Sequence, residues 1–294
     1  MKLLVSFFVR LFSFIACHLP RRILRFTGLW AGVLWFDVLR FRRQIVIDNL
    51  TIAFPEWSEE KKVQVGRQAV YNMAYNFPEL FAMPSMNEKW LADNVVFEGF
   101  ENLEKAHAKG KGAFLLTLHL GNGDVAANAI ELCKYPVHMI TKRFKTKWFD
   151  DLWFSLRGAK GVRYIDAHGS SNAFDILKAL KKRENVVFVL DQYMGKPFGI
   201  ETSFFGKKTG TAYGLALFVQ KSKSPVVPIY TFEGNDKKLH IVIEPEMDLS
   251  ACVVDDKDQT TARMTQAFND KLEEIIRKHP EQWMWVHRRW KDFR

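Results

Sequence analysis

Residues 113–124 read AFLLTLHLGNGD, and this stretch indicates how the chain is built. The first half, 113–118, is apolar almost throughout, as in a strand that is covered on both faces of a sheet. The run ends at His119, and Asp124 follows after the turn GNG. A strand that leads through a glycine-rich turn into a helix is typical of α/β proteins, which form their sites where strands end.

The rest of the chain repeats this order of strand and helix. Further strand-like runs lie at 137–141, 186–190, 226–232 and 239–244, and helical patterns lie at 124–133, 146–157, 172–183, 211–222 and 261–278. The alternation predicts an α/β fold with a central, largely parallel sheet flanked by helices. No linker or internal repeat divides the chain, so we expect a catalytic domain over 46–294 and an N-terminal helical segment over 1–45.

Composition limits the class of partner without choosing one. The chain has 294 residues, with 43 basic against 33 acidic side chains and a formal net charge of +10. Such an excess suits membrane headgroups, phosphorylated substrates, acidic proteins or nucleic acid. The three cysteines are scattered without metal-ligand spacing, which favours a reducing, cytosolic environment and predicts no metal site.

The N-terminal segment favours a membrane among these partners. Residues 3–19 are long enough to approach a membrane span but are interrupted by Arg10, and residues 26–36 are apolar but too short to span. Arginines at 21–22 and within 40–43 adjoin tryptophans and phenylalanines, as in interfacial helices. We expect membrane attachment by one tilted span or by interfacial helices, with the catalytic body in the cytoplasm. A buried helical hairpin is the alternative.

The histidine and the aspartate of the opening stretch form a candidate catalytic pair. If the chain turns back at the glycines, Asp124 can accept a hydrogen bond from one nitrogen of His119 and leave the other as a general base. The start of the helix also offers N–H groups to a developing oxyanion. No G-x-S-x-G elbow or activated cysteine is present, so such a pair would activate a hydroxyl of a substrate. From these residues alone, a structural histidine is nearly as well supported.

The block HLGNGD resembles the His-x4-acid block of the lysophospholipid acyltransferase superfamily. Further blocks, in the same order, are similar to those of the late acyltransferases of lipid A biosynthesis, the lauroyl/myristoyl transferase family. They are RRQIVIDNLTIAFPEWS at 42–58, LRGAKGVRYI at 156–165, VVFVLDQ at 186–192, TSFFGKKTGTAYGLA at 202–216, SPVVPIY at 224–230 and PEQWMWVHRRWK at 280–291.

The resemblance implies an enzyme of the inner membrane that faces the cytoplasm. It would move a fatty acyl chain from acyl-carrier protein to a hydroxyl of a lipid A precursor, a phosphorylated glycolipid, without a cofactor, a metal or nucleic acid. His119 would be the general base and Asp124 would orient it. Arg157 matches an important arginine of the family, and Asp191 matches its acidic counterpart. Because Asp191 ends a buried strand, we expect it to pair with a cation such as Arg157.

Further residues are candidates for substrate binding. The turn contributes its three residues, the block FFGKKTGTAYG at 204–214 resembles a phosphate-binding loop that leads into a helix, and WMWVHRRWK mixes aromatic rings with cations. The candidates are Gly121, Asn122, Gly123, Lys207, Lys208, Thr209, Arg288 and Arg289. A solvated loop at 204–214 is nearly as well supported.

Two positions depart from the pattern of the family. Glu is usual where this chain has Asp124, and a bulky aromatic residue is usual where it has Gly123. The acceptor could therefore be a lipid A precursor of different geometry, or another lipid such as a lysophospholipid or an amino-acid lipid. A thioesterase and a non-catalytic protein that binds lipid or nucleic acid are further alternatives.

Overall fold

The structure is a computed structural model that describes residues 2–294. Its helices are α1 Lys2–His18, α2 Arg21–Val33, α3 Arg43–Ala53, α4 Glu59–Ala82, α5 Glu88–Asn94, α6 Phe100–Ala108, α7 Gly123–Leu132, α8 Lys147–Arg157, α9 Asn172–Lys181, α10 Gly214–Ser222 and α11 Lys257–Lys278. A π-helix, Leu34–Leu39, continues α2, and short 3-10 turns lie at Met83–Ser85, Ser250–Cys252 and Pro280–Gln282.

The strands are β1 Val95–Glu98, β2 Ala113–Thr117, β3 Val137–Thr141, β4 Arg163–Asp166, β5 Asn185–Val189, β6 Gly199–Phe204, β7 Lys207–Ala212, β8 Val226–Glu233 and β9 Leu239–Ile243. Seven of them form one sheet in the order β1-β9-β8-β2-β5-β3-β4. Every pair of neighbouring strands in this sheet is parallel except β8 and β9, which are antiparallel. The predicted α/β fold with a mostly parallel sheet flanked by helices is therefore confirmed.

The apolar character of β2 follows from its position near the middle of the sheet. Phe114 and Leu116 face one hydrophobic cluster, which contains Phe268 of α11. Leu115, between them in the chain, faces a second cluster, which contains Ile130 of α7. Side chains alternate along a strand, so a strand with core on both faces must be apolar at every position.

The N-terminal helices pack against the body of the protein. In α2, a Cβ added at Gly28 would lie 2.7 Å from Tyr75 Cα, and one at Gly32 would lie 2.9 Å from Tyr71 Cα. Only glycine allows α2 to approach α4 this closely. Among residues 2–294, no helix has both the length and the apolar character that a membrane crossing requires. The division of the chain near residue 45 stays a prediction.

Four strands were not predicted. β1 and β4 are short strands at the two edges of the sheet, and β6 and β7 form a separate antiparallel hairpin. The segment 204–214, which resembled a loop leading into a helix, is therefore mostly hairpin. Thr211 and Ala212 pair with Ile200 and Gly199, so α10 begins only at Gly214 and the predicted helix start at 211 was wrong.

Candidate active site

His119 and Asp191 meet because β2 and β5 are neighbouring parallel strands. Thr117, the last residue of β2, pairs with Val189, the last residue of β5. His119 and Asp191 each lie two positions beyond these residues, just after the strands end. Both are therefore at the carboxyl end of the parallel strands. His119 Nδ1 lies 2.8 Å from Asp191 Oδ1, and the His119 backbone N–H donates to Asp191 Oδ2 at 2.8 Å. Parallel register thus produces this pair.

Asp191 is a buried carboxylate that is well supplied with donors. Its side chain is 1% exposed, and its Oδ2 also accepts the indole N–H of Trp283 at 2.7 Å. Burial alone raises the pKa of this carboxyl, but the charge and hydrogen bonds of His119, together with Trp283, outweigh burial and lower the pKa to about 2. Asp191 is therefore ionised at neutral pH, so it holds the proton of a neutral His119 on Nδ1.

The other nitrogen of His119 is left for chemistry. The side chain is 41% exposed, and across residues 2–294 no hydrogen-bond partner lies at Nε2. Burial lowers the pKa of the ring, but the adjacent Asp191 carboxylate raises it more, so the net pKa of His119 is above its ordinary value. A histidine with an anchored Nδ1 and an accessible Nε2 has the geometry of a general base.

Asp124 and Arg157 form a second pair. Arg157 Nε lies 3.0 Å from Asp124 Oδ1 and 3.1 Å from Oδ2, and a terminal nitrogen of the same guanidinium lies 2.7 Å from Oδ1. The predicted contacts of His119 with Asp124 and of Asp191 with Arg157 were wrong. Strand register places Asp191 at His119, while the end of α8 brings a guanidinium to the first turn of α7. The charge of Asp124 raises the pKa of His119, and the charge of Arg157 lowers it.

Two of the three turn residues, predicted to bind substrate, build the turn instead. Gly121 has a φ of +58°, and an added Cβ would lie 2.3 Å from the Thr231 carbonyl oxygen, so only glycine fits. Asn122 is 5% exposed, its Oδ1 accepts the Val125 N–H at 3.2 Å, and its Nδ2 donates to Glu79 Oε2 at 2.9 Å. Both side-chain polar atoms of Asn122 are thus used within the protein: Oδ1 caps α7, and Nδ2 ties the turn to α4.

The third turn residue, Gly123, lies in a different environment. It is the first residue of α7 and is exposed, and a Cβ added there would meet no atom within 4 Å among residues 2–294. The space beside the first turn of α7 is therefore open. A role of Gly123 in binding substrate stays a prediction.

The basic residues predicted from 204–214 lie on the hairpin. Lys207 and Lys208 are exposed on β7, and Lys208 Nζ lies 2.9 Å from Glu201 Oε1. Thr209 is fully buried and donates its hydroxyl to the Arg289 carbonyl oxygen at 2.7 Å. Since its hydroxyl is enclosed, Thr209 is a structural residue and not a substrate ligand. A role for the two lysines stays a prediction.

The C-terminal aromatic and basic segment is mostly core. Arg289 is fully buried and donates to the Gly210 carbonyl oxygen at 2.5 Å and to Thr211 Oγ1 at 2.7 Å. Burial lowers the pKa of its guanidinium to about 10. The prediction that Arg289 binds substrate was wrong, because its side chain is fully buried and its terminal nitrogens donate to β7 and to Asn269 of α11. Arg288 is exposed, and its predicted role is untested.

Sequence reasoning missed three contributors to the site. Trp283 binds Asp191, as described, and Glu79 of α4 accepts Arg21 Nε at 2.5 Å as well as Asn122. His287 Nε2 accepts the Tyr193 N–H at 3.1 Å, and mainly burial lowers the pKa of this histidine to about 4. Trp283 and His287 both lie in the block WMWVHRRWK, which the sequence analysis interpreted as a candidate substrate-binding segment. Nothing in the sequence around Glu79 indicates its role.

Among residues 2–294, no group of three or more His, Cys, Asp or Glu side chains is placed to hold a metal ion.

Comparisons with known proteins add the family. The family model for bacterial lipid A biosynthesis acyltransferase matches residues 2–292. A lipid A biosynthesis acyltransferase of Haemophilus influenzae is 25% identical over 95% of this chain and 84% of its own length. The lipid A biosynthesis palmitoleoyltransferase of Escherichia coli is 26% identical, with 93% and 87% covered. A phosphatidylinositol mannoside acyltransferase of Mycobacterium tuberculosis is 26% identical over 72% of this chain and 66% of its own length.

The protein is therefore an acyltransferase, as the sequence blocks predicted. The chain belongs to the bacterial lipid A biosynthesis acyltransferase family.

Proposed function

We propose that this protein transfers a fatty acyl chain from an acyl-carrier-protein thioester to a hydroxyl of a lipid A precursor, with His119 as the general base. The observation that carries the proposal is the His119–Asp191 pair, which leaves Nε2 without a partner within residues 2–294. Since the sequence has no G-x-S-x-G nucleophile motif, this base suits a reaction in which the substrate brings its own hydroxyl.

The proposed step is a direct transfer. Nε2 of His119 takes the proton of the acceptor hydroxyl while the oxygen bonds to the thioester carbonyl carbon. The carbon–sulfur bond then breaks, and the imidazolium returns the proton to the departing thiolate, so the products are an ester and the free thiol of the carrier. Asp191 stabilises the imidazolium through Nδ1 and does not itself take the proton, because its pKa is about 2.

The second pair has a separate part in the proposal. Asp124 holds the Arg157 guanidinium at the first turn of α7, where the helix start contributes partial positive charge. A fixed guanidinium beside helix amides stabilises negative charge, either on the thioester oxygen as it becomes an oxyanion or on a phosphate of the acceptor. Asp124 is therefore a positioning residue that acts through Arg157.

Family membership and charge support the two substrates. The relatives from Haemophilus influenzae and Escherichia coli bear the names of lipid A biosynthesis enzymes, which favours a phosphorylated glycolipid acceptor for this chain too. The net charge of +10 suits an acidic carrier protein and a phosphorylated lipid alike.

The exposed apolar residues support attachment to the cytoplasmic face of the inner membrane. They lie on α1, α2 and the π-helix that follows, and include Leu3, Phe7, Phe8, Phe14, Phe26, Trp30, Val38 and Leu39. A patch of this size, next to arginines, is typical of helices that lie in a lipid interface.

Another lipid acceptor is the second candidate. The open space beside Gly123 and the similarity to a phosphatidylinositol mannoside acyltransferase both favour it. Acceptors that compete for the same acyl donor would separate the two functions.

The test is acyl transfer from a panel of acyl-carrier-protein thioesters to the tetraacyl lipid A precursor, with products identified by mass spectrometry. We expect wild type to add one acyl chain, and His119→Ala to lower turnover by roughly 10²–10⁴-fold without unfolding. His168→Ala is the matched control, since His168 is exposed beyond the end of β4. Product from His119→Ala at the wild-type rate would contradict the proposed base, and free fatty acid as the main product would indicate a thioesterase.

A further inference from the structure

A basic and aromatic segment follows β3, at the same edge of the sheet as the site. Residues 142–149 read KRFKTKWF, and we call them the β3–α8 segment. Lys142 and Lys145 are exposed, and in the part of the chain from residue 2 to 294 neither takes part in a salt bridge. Lys147 lies 3.3 Å from Asp151. Two cations on this segment are thus free to meet an outside anion.

The conformation of the segment is fixed from inside. Asp150 is 6% exposed, its Oδ2 accepts Arg143 Nε at 2.8 Å, and its Oδ1 accepts the Phe144 N–H at 2.7 Å. Arg143 is therefore turned inward, whereas the ring of Phe144 is 44% exposed. Because the Asp150 carboxylate binds both Arg143 and Phe144, the backbone of the segment is already ordered. Holding the Phe144 side chain outward therefore costs little further conformational entropy.

The segment lies one aromatic ring away from the active site. The guanidinium of Arg143 lies 4.3 Å from the centre of the Phe154 ring. The guanidinium of Arg157, which binds Asp124, lies 5.4 Å from the centre of the same ring. Whatever the β3–α8 segment touches is therefore close to the Asp124–Arg157 pair, next to the open space beside Gly123.

A row of aromatic rings connects the segment to α1. Ring centres are 6.1 Å apart for Phe144 and Trp153, 6.5 Å for Trp153 and Phe77, and 5.5 Å for Phe77 and Phe81. Phe81 lies 4.8 Å from Phe12 of α1. Phe77 and Phe12 are themselves 58% and 45% exposed. Aromatic packing thus connects α1 to the β3–α8 segment, in part through the buried ring of Phe81.

We propose that the β3–α8 segment is a second contact with an anionic lipid bilayer, separate from the N-terminal helices. The lysines bind the headgroups, and Phe144 lies at the depth where aromatic rings are stable in an interface. The proposal extends the membrane attachment proposed above and rests on it. A second contact with the bilayer near Arg157 would bring His119 close to hydroxyls at the surface of the membrane.

The test measures binding of the full-length protein to sedimented vesicles of phosphatidylcholine, with and without phosphatidylglycerol. Each lysine near an anionic surface contributes about 5-fold in affinity, so K142Q/K145Q should bind the anionic vesicles roughly 30-fold more weakly. Binding to neutral vesicles should not change. The matched control is K181Q/K182Q, which removes the same charge at the end of α9, on the opposite edge of the sheet, and should bind as wild type does.

Four outcomes would overturn the proposal. If wild type binds neither kind of vesicle, membrane attachment itself fails and this contact fails with it. If wild type binds and K142Q/K145Q binds equally well, only the second contact is refuted. If vesicle binding is unchanged while the KM for the carrier-protein thioester rises, the lysines serve the acidic donor instead of the bilayer. Loss of affinity in both double variants would show a general effect of charge and would also refute it.

Discussion

Asp191 and Asp124 are both carboxylates of the site, but they lie in different surroundings. Asp191 is 1% exposed and accepts hydrogen bonds from the ring and backbone of His119 and from Trp283. Asp124 is 26% exposed, and its carboxylate binds the guanidinium of Arg157. Asp191, which binds the base, is 72 positions away from it in the chain, whereas Asp124 is only five positions away.

The difference shows that proximity in sequence does not decide which acid serves a base. Two residues that follow neighbouring parallel strands are side by side whatever the length of chain between them. By contrast, the direction of a side chain at the start of the next helix depends on the turn before that helix. We therefore assign the orienting role to Asp191 and the role of holding Arg157 to Asp124.

The largest expected effect comes from Asp191→Asn. An amide can present its N–H₂ or its oxygen to Nδ1, so the tautomer with a free Nε2 is no longer enforced, and we expect turnover to fall by about 10³–10⁴-fold. Loss of the carboxylate also lowers the pKa of His119, because this charge is what raises it. Since the base must be neutral, the rising limb of kcat/KM against pH should move to lower pH.

This pH shift separates the assigned role from a structural one. A variant that is merely misfolded loses activity at every pH, and circular dichroism would detect it. An unshifted limb in well-folded Asp191→Asn would contradict the pairing of Asp191 with the base.

A smaller effect is expected from Asp124→Asn. It removes a charge-assisted pair with Arg157, which is worth about 1.5–3 kcal/mol per bond when buried, so we expect turnover to fall roughly 10–100-fold. Because Asp124 raises and Arg157 lowers the pKa of His119, Asp124→Asn should move the pH limb slightly down and Arg157→Met slightly up. Steady-state kinetics against pH measure both shifts. A loss with Asp124→Asn as large as that with Asp191→Asn would remove the distinction between the two acids.

The smallest effect is on stability. His119 has a raised pKa in the folded protein, so its contribution is fully present below about pH 6.5 and is lost as pH rises through the folded value. Asp191 has a pKa of about 2, so its contribution is present above about pH 3.9 and is lost as pH falls toward 2. Between pH 5 and 9, the free energy of unfolding measured with urea should fall by at most about 1 kcal/mol through the His119–Asp191 pair, since solvent screens a half-exposed ring. His119→Gln should abolish this part of the decline, and an equal slope in wild type and variant would contradict it.

Two segments of similar composition show where sequence reasoning reached its limit. The C-terminal WMWVHRRW and the β3–α8 segment both mix aromatic rings with cations. Trp283 and Arg289 of the first are buried, whereas Phe144 and Lys145 of the second are exposed. Composition cannot separate them, because burial depends on which other elements cover a segment. An apolar ring and a cation suit a core with internal hydrogen bonds as well as they suit a lipid interface.

The sequence by itself determined the elements that have a strong local signal. The strands β2, β3, β5, β8 and β9 and the helix α11 were predicted, because continuous apolar runs and helical spacing report how each segment is buried. The same blocks indicated the family, and they included both acids, Arg157 and the candidate base. Short edge strands and the β6–β7 hairpin have no such signal and were missed.

Only the tertiary structure decided which of these residues pair. The order β2-β5-β3 within the sheet puts Asp191, and not Asp124, beside His119, and the end of α8 brings Arg157 to Asp124. It also buried Asn122, Thr209 and Arg289, which the sequence had offered as substrate ligands. The physical reason is that local patterns report the burial of a single segment. Hydrogen-bond partners depend on which segments become neighbours, and one sequence read along its length does not contain that information directly.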